Sequence, residues 1–360
     1  MPAIESGSVT NRIGALRRLM DKEDLQAMLV SSLSNVRYLC GFSGSSGTML
    51  VTRKSAWFFT DFRYKEQTKQ EVRGCRSRIL SRGLFADFPV EYIRGVKRLG
   101  VEQDHMNIAT FKLLRKRLKG PKLVPARDLV LRLRRTKDKT EVALIRKAQA
   151  VTDSVFRWLL DNTRPGVTER ELGAEIEYRF KRHGESAFPP IAASGPNSAL
   201  PHASPSDRRL RRGDAVTFDM GCRRDGYCSD MTRTFFLGKP NDDLRQVYLI
   251  VAEAQKRALA GIRPGASCAE VDALARDYIR DEGYGPYFGH GLGHGVGLLV
   301  HEQPGLSHNS KDKLAEGNVV TVEPGIYLPG LGGVRIEDMV LVTRNGYENL
   351  TKSPKELIEL

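Results

Sequence analysis

A chain of 360 residues, 40% hydrophobic and 28% charged, is long enough to fill two ordinary domain cores. Its five cysteines, Cys40, Cys75, Cys222, Cys228 and Cys268, are scattered and lack CxxC spacing, which argues against a disulfide framework or zinc ribbon and for a reducing compartment. The net charge of +14 is concentrated partly at 112–122, 132–139 and 208–212, runs without interleaved aromatics or a recognition helix, so they read as solvated faces and a linker rather than a specific nucleic-acid surface.

In chain order, the apolar spacing of Ile13, Leu16 and Met20 predicts an N-terminal helix. The segments 25–32 and 36–41 read as buried strands, and 47–64 as two strands about a Thr-Arg-Lys-Ser turn. A further strand at 99–103 and a basic helix over 107–118 complete a small α/β domain, placed at 1–130. The charged, unpatterned segment 126–139 marks the boundary to a second domain, 131–360. That domain opens with a helix whose apolar face runs Leu144, Ile145, Ala148, Val151, Val155 and Leu159. Thr168 with Glu171 and Ser267 with Glu270 have capping-box spacing, and Gly261 and Gly283 fit helix ends. Helices interleaved with antiparallel hairpins make this half α+β. No apolar run reaches membrane-span length and the N-terminus has no apolar leader core, so a cytoplasmic location is expected.

The chemistry lies in the second half. Asp219 and Asp230 are eleven residues apart about Arg223-Arg224-Asp225-Gly226, and Asp-Gly between alternating strands signals a hairpin. Such a hairpin sets the two carboxylates side by side, with Thr232 on the face of Asp230. Glu323 and Glu337 repeat the device across Pro-Gly-Leu-Gly-Gly at 329–333, with Arg335 on the face of Glu337 and Asp338 turned away as a structural or surface acid. Four half-buried carboxylates need a cation among them. His294 lies in His-Gly-Leu-Gly-His-Gly-Val-Gly (290–297), where the glycines disfavour a helix and suit backbone packed around a site. Four hard oxygen donors and one imidazole suit Mn²⁺ or Co²⁺ better than a thiolate-seeking ion, and two such ions are a standard hydrolase arrangement. His202 falls in a Pro/Ser-rich loop seventeen residues before Asp219, while His105, His183 and His308 read as structural.

The segments ASGPNSALPHASPSDRRLRRGDAVTFDMG, GYCSDMTRTFFLG, HGLGHGVGLLVHEQP, TVEPGIYLPG and GGVRIEDMVLVT resemble the proline-specific branch of the pita-bread metallopeptidases, densely over about 140–360. The N-terminal half, with RYLCGFSGSSGTMLV and FFTDFRYKEQ, resembles that branch's small N-terminal domain more weakly. The resemblance implies an α+β pita-bread catalytic domain after a smaller creatinase-like α/β domain. It implies two divalent ions, Mn²⁺ foremost with Co²⁺ or Zn²⁺ as alternatives, held by Asp219, Asp230, His294, Glu323 and Glu337. Asp230 and Glu337 would touch both ions, Glu323 would act as general base, His202 and His301 would bind substrate, and Arg335 would support Glu337. Implied too are a homodimer, short peptides with proline in second position as substrates, and no membrane partner. One departure stands out. Prolidases of this branch commonly carry His-Glu-x-Pro-Arg, whose arginine holds the dipeptide's free carboxylate, and here Gly305 takes the arginine's place after His301-Glu302-Gln303-Pro304. That favours an Xaa-Pro aminopeptidase, with an Xaa-Pro dipeptidase or an aminopeptidase of broader specificity as the alternatives.

Overall fold

The computed structural model describes residues 6–81, 88 and 90–360, which form two compact units, one through Arg134 and one from Arg135 to Leu360. In the first, strands β1 (Ala27–Val30), β2 (Thr48–Thr52), β3 (Ala56–Asp61), β4 (Arg76–Leu80), β5 (Arg98–Glu102) and β6 (Lys122–Ala126) join, among the described residues, in one mixed sheet of order β4-β3-β2-β1-β5-β6. Helices α1 (Ser6–Lys22), α2 (Leu33–Cys40), α3 (Lys65–Glu71), α4 (Ile108–Arg117) and α5 (Leu129–Arg134) complete the unit.

One expectation fails here. The run 36–41 is not a strand but lies in α2, closed by Gly41 at φ 87. A short apolar run cannot by itself separate strand from buried helix. What decides it is distant: Glu102, at the end of β5, accepts the backbone N–H groups of Ser31 and Ser32 at 2.6 and 2.7 Å and the Asn35 amide at 2.6 Å, seating the start of α2. The charged segment 126–139 contains α5.

The second unit opens with α6 (Lys139–Asn162), capped reciprocally by Asp138 and Glu141, with the anticipated apolar face buried. α7 (Glu169–Lys181) carries the expected Thr168–Glu171 capping box. After β7 (Glu185–Ser186) and β8 (Ile191–Ser194), β9 (Ala215–Met220) and β12 (Met231–Phe236) form an antiparallel sheet with β8, in the order β12-β9-β8. The intervening β10 (Cys222–Arg224) and β11 (Tyr227–Cys228) make a tight hairpin. Its two-residue tip, Asp225 at φ 51 and Gly226 at φ 89, has the left-handed conformation of a type I′ turn. Phe156, Leu159, Ile176 and Phe180 of the helices pack with Phe218 and Phe235 of this sheet in one core.

Helices α8 (Asp242–Ala260) and α9 (Cys268–Asp281) then pack against a second antiparallel sheet. It contains β13 (Gly293–Gly295), β14 (Glu302–Leu306), β15 (Val319–Val322), β18 (Asp338–Thr343) and β19 (Gly346–Asn349), ordered β14-β13-β15-β18-β19. A separate ribbon, β16 (Gly325–Leu328) with β17 (Gly332–Arg335), rises between β15 and β18. Antiparallel sheets backed by helix pairs are the α+β pita-bread architecture. No helix among the described residues is long and apolar enough to cross a membrane.

Candidate metal centre

Three of the four carboxylates sit just beyond strand ends rather than within strands. Asp219 lies on β9, but Asp230 immediately precedes β12, Glu323 immediately follows β15, and Glu337 immediately precedes β18. In the first hairpin Thr232 pairs with Asp219, which leaves Asp230 on the diagonal instead of directly opposite. In the second, Val322 pairs with Asp338 and Gly325 with Arg335, so Glu323 and Glu337 flank the gap where the ribbon leaves the larger sheet. A gap of this kind frees side chains from the regular pleat and lets carboxylates converge. His294 is on β13, a strand among glycines, where a Cβ on Gly293 would come within 2.1 Å of the Thr321 carbonyl oxygen.

All five line one cavity of about 460 Å³, together with His202, His290, His301 and Arg335. Donor atoms of Asp230, His294 and Glu337 lie within 4.8 Å of one another. His294 Nε2 is 3.5 Å from Asp230 Oδ2 and 3.3 Å from Glu323 Oε1. Its Nδ1 donates to the Gly295 carbonyl at 3.1 Å, which fixes the ring and turns Nε2 toward the carboxylates. Thr321 steadies this side of the cavity, accepting from the His294 backbone N–H at 3.0 Å and donating to Glu323 at 3.1 Å.

Arg335 organises the other side. Its Nη2 donates to Asp219 Oδ2 at 2.7 Å, Nε to Thr232 at 3.0 Å, and Nη1 to the Tyr327 hydroxyl at 2.8 Å. Thr232 in turn donates to Glu337 Oε2 at 2.7 Å. Arg335 therefore reaches Glu337 through Thr232, not by direct contact. The Tyr327 hydroxyl donates to His290 Nε2 at 2.8 Å, and His290 Nδ1 donates to the Gly291 carbonyl at 2.8 Å. The His301 ring stands edge-on to that of His294, with centroids 4.4 Å apart.

Burial, reinforced by repulsion from neighbouring carboxylates, raises the carboxyls of Asp219, Asp230 and Glu337, the latter two well above their usual range. Burial acts on Glu323 in the same direction, but the hydrogen bond and charge of His294 outweigh it and hold this carboxyl low. Burial likewise lowers His290 and His301. Such crowding is costly unless a cation occupies it, and Asp219 Oδ1 is buried with no hydrogen-bond partner. An orphaned carboxylate oxygen on Asp219, an imidazole nitrogen held toward Asp230 and Glu323, and a set of hard oxygen donors fit a divalent metal.

Two members of this hydrogen-bond network have no role readable from the sequence alone: Tyr327, four residues after Glu323, and His290, four residues before His294. Asp338 does face away, but it is fully buried against Arg233 at 2.7 Å and is not a surface acid.

Residues 143–344 match the model of metallopeptidase family M24, and residues 12–136 that of the creatinase/prolidase N-terminal domain. The chain belongs to metallopeptidase family M24 and is a peptidase. It is 38% identical to an Xaa-Pro dipeptidase of Pyrococcus horikoshii over 97% of this chain and 99% of that protein. Among solved structures, an Xaa-Pro dipeptidase from Bacillus anthracis superposes with TM-score 0.95 at 41% identity, covering 98% of this chain and 100% of the other. An X-Pro aminopeptidase from Thermotoga maritima superposes with TM-score 0.88 at 35% identity, covering 96% and 99%.

Proposed function

We propose that this chain is an Xaa-Pro aminopeptidase, releasing an N-terminal residue that precedes proline from short peptides. The relatives named for Xaa-Pro cleavage support the proline preference. Such a bond is a tertiary amide without an N–H. One observation favours peptides that continue beyond the proline. Among the described residues lining the cavity, the guanidinium of Arg335 is already engaged by Asp219, Thr232 and Tyr327, and there is no other arginine or lysine. At Gly305, where an arginine would serve a dipeptidase, a Cβ would meet nothing within 4 Å. The position has room for a side chain and does not have one.

In this reading Asp219, Asp230, His294, Glu323 and Glu337 would hold two divalent ions, Mn²⁺ foremost. When bound, the ions supply Lewis-acid polarisation of the scissile carbonyl and acidification of the attacking water. Glu323, kept low by His294, is ionised and takes a proton from that water. His301, kept low by burial, is neutral and offers a ring nitrogen to the substrate. His202 lines the same cavity, and both histidines would steady the tetrahedral intermediate. Arg335 holds Asp219 and, through Thr232, Glu337 in position.

The dipeptidase reading is favoured by the names of two of the relatives above. Product analysis on Ala-Pro beside Ala-Pro-Ala separates the two. Hydrolysis of the tripeptide at least as fast as the dipeptide is expected, and good hydrolysis of Ala-Pro with Ala-Pro-Ala untouched decides for the dipeptidase. Light scattering tests the homodimer that the resemblance implies, against a monomer of 40.2 kDa.

A further inference from the structure

The cavity wall that carries His202 is a loop, and a loop holds a side chain in place only through its ties. Between Ser194, the last residue of β8, and Ser206 the chain makes an excursion in which Pro201 to Pro205 line the cavity. One side chain holds both ends. Glu169, the first residue of α7, is 1% exposed. Its Oε1 accepts the Ser194 N–H and the Ser194 hydroxyl, both at 2.7 Å. Its Oε2 accepts the Ser206 N–H at 3.1 Å and the Ser206 hydroxyl at 2.5 Å. The Asn197 amide spans the two oxygens at 3.1 and 3.0 Å.

The start of α7 reinforces this clasp, with Arg170 N–H donating to the Ser206 carbonyl at 2.9 Å and Glu169 N–H to the Arg208 carbonyl at 3.1 Å. Ser198 joins the excursion to β17 by accepting the Gly333 N–H at 2.9 Å, two residues before Arg335. His202 itself is exposed, so its place in the cavity is set by the backbone on either side of it. A buried carboxylate is tolerated when donors surround it, and the donors around Glu169 are the two ends of this loop.

We infer that Glu169 is a positioning residue for His202: it clasps Ser194 to Ser206 and so fixes the loop that brings the imidazole to the substrate. This rests on the substrate-contacting role given to His202 above. Glu169→Gln replaces one acceptor oxygen with an amide that points its hydrogens at donors, which opens one side of the clasp.

The test uses the full chain reconstituted with Mn²⁺ and assayed on Ala-Pro and Ala-Pro-Ala. Glu169→Gln should keep the wild-type metal content and lose kcat/KM on the order of 100-fold, the scale of a misplaced contact in an active site. The loss should divide between kcat and KM as it does in His202→Ala. Adding His202→Ala to Glu169→Gln should cost no more than about 2-fold further, because two groups acting through one contact are not additive. Amide hydrogen exchange should quicken over 195–206 while β9 and β12 stay protected. Losses that multiply, wild-type exchange in the loop, or a fully active His202→Ala each overturn the inference. If Glu169→Gln does not fold, Ser206→Ala removes one hydroxyl tie and carries the same comparison with a loss of about 2- to 10-fold. Wild-type protein inert on both peptides would instead refute the functional reading, and the exchange measurement, which needs no turnover, still decides this one.

Discussion

Glu337 and Asp338 are consecutive acids with opposite surroundings, and exchanging each for its amide should separate metal binding from stability. Asp338 Oδ1 accepts Arg233 Nη2 at 2.7 Å, and Oδ2 accepts Asn349 Nδ2 at 3.0 Å and the Lys355 ammonium. Burial would raise this carboxyl, but Arg233 and Lys355 outweigh it and hold it low. Its side chain is 0% exposed and that of Arg233 only 1%. Asp338→Asn therefore leaves a buried guanidinium without its counter-charge, which costs about 3–5 kcal/mol. For a unit of this size, about 2–4 °C per kcal/mol makes the fall in Tm roughly 6–20 °C. Because the folded carboxyl is depressed, its contribution is present above the unfolded pKa of about 3.9 and lost as pH falls through the depressed value. Glu337→Gln does the reverse. It removes a charge from a crowded cavity, so the metal-free variant should unfold no earlier than metal-free wild type, while its metal content drops. Thermal unfolding with and without metal, alongside metal analysis, reads both. Metal loss in Asp338→Asn with unchanged Tm, and a large fall in Tm for metal-free Glu337→Gln, would refute the assignment of faces.

Stripping metal should introduce a pH dependence: with Asp219, Asp230 and Glu337 raised in the folded state, metal-free protein loses stability as pH rises from the ordinary carboxylate range through those raised values, so the Tm gap to the loaded form widens with pH. A constant gap would count against it. His301→Ala should keep most of its metal yet lose turnover, whereas His294→Ala should lose metal as well; equal losses would mean the two rings share one role. Gly305→Arg should shift preference toward Ala-Pro over Ala-Pro-Ala by about 10- to 150-fold, the worth of a charge-assisted contact of roughly 1.5–3 kcal/mol, and no shift would mean the substrate's end lies elsewhere.

The residues that converge on the cavity were legible because each brought a local signal, such as an Asp-Gly turn, glycines crowding a histidine, or a carboxylate beside β-branched neighbours. Their exact arrangement was not. Whether Asp230 stands opposite Asp219 or diagonal to it depends on Gly221 and the separate β10–β11 hairpin, and no period-two pattern reveals that. Tyr327 acquires meaning only once the β16–β17 register brings it to Arg335. The segment 36–41 misled for the same reason, since its helical state is secured by Glu102, more than sixty residues away. Glu169 reads as an ordinary helix-start acid, and its partners lie twenty-five and thirty-seven positions along the chain. Signals carried within a few residues were visible; those completed by distant partners were not.

The most direct test of the metal centre is the ion count per chain. Apoprotein reconstituted with Mn²⁺, desalted and analysed by plasma mass spectrometry should hold two ions per chain and hydrolyse Xaa-Pro peptides, while Asp230→Ala should hold fewer than two and be inactive. Wild-type protein without bound metal, or Asp230→Ala with two ions and near-normal turnover, would contradict the account.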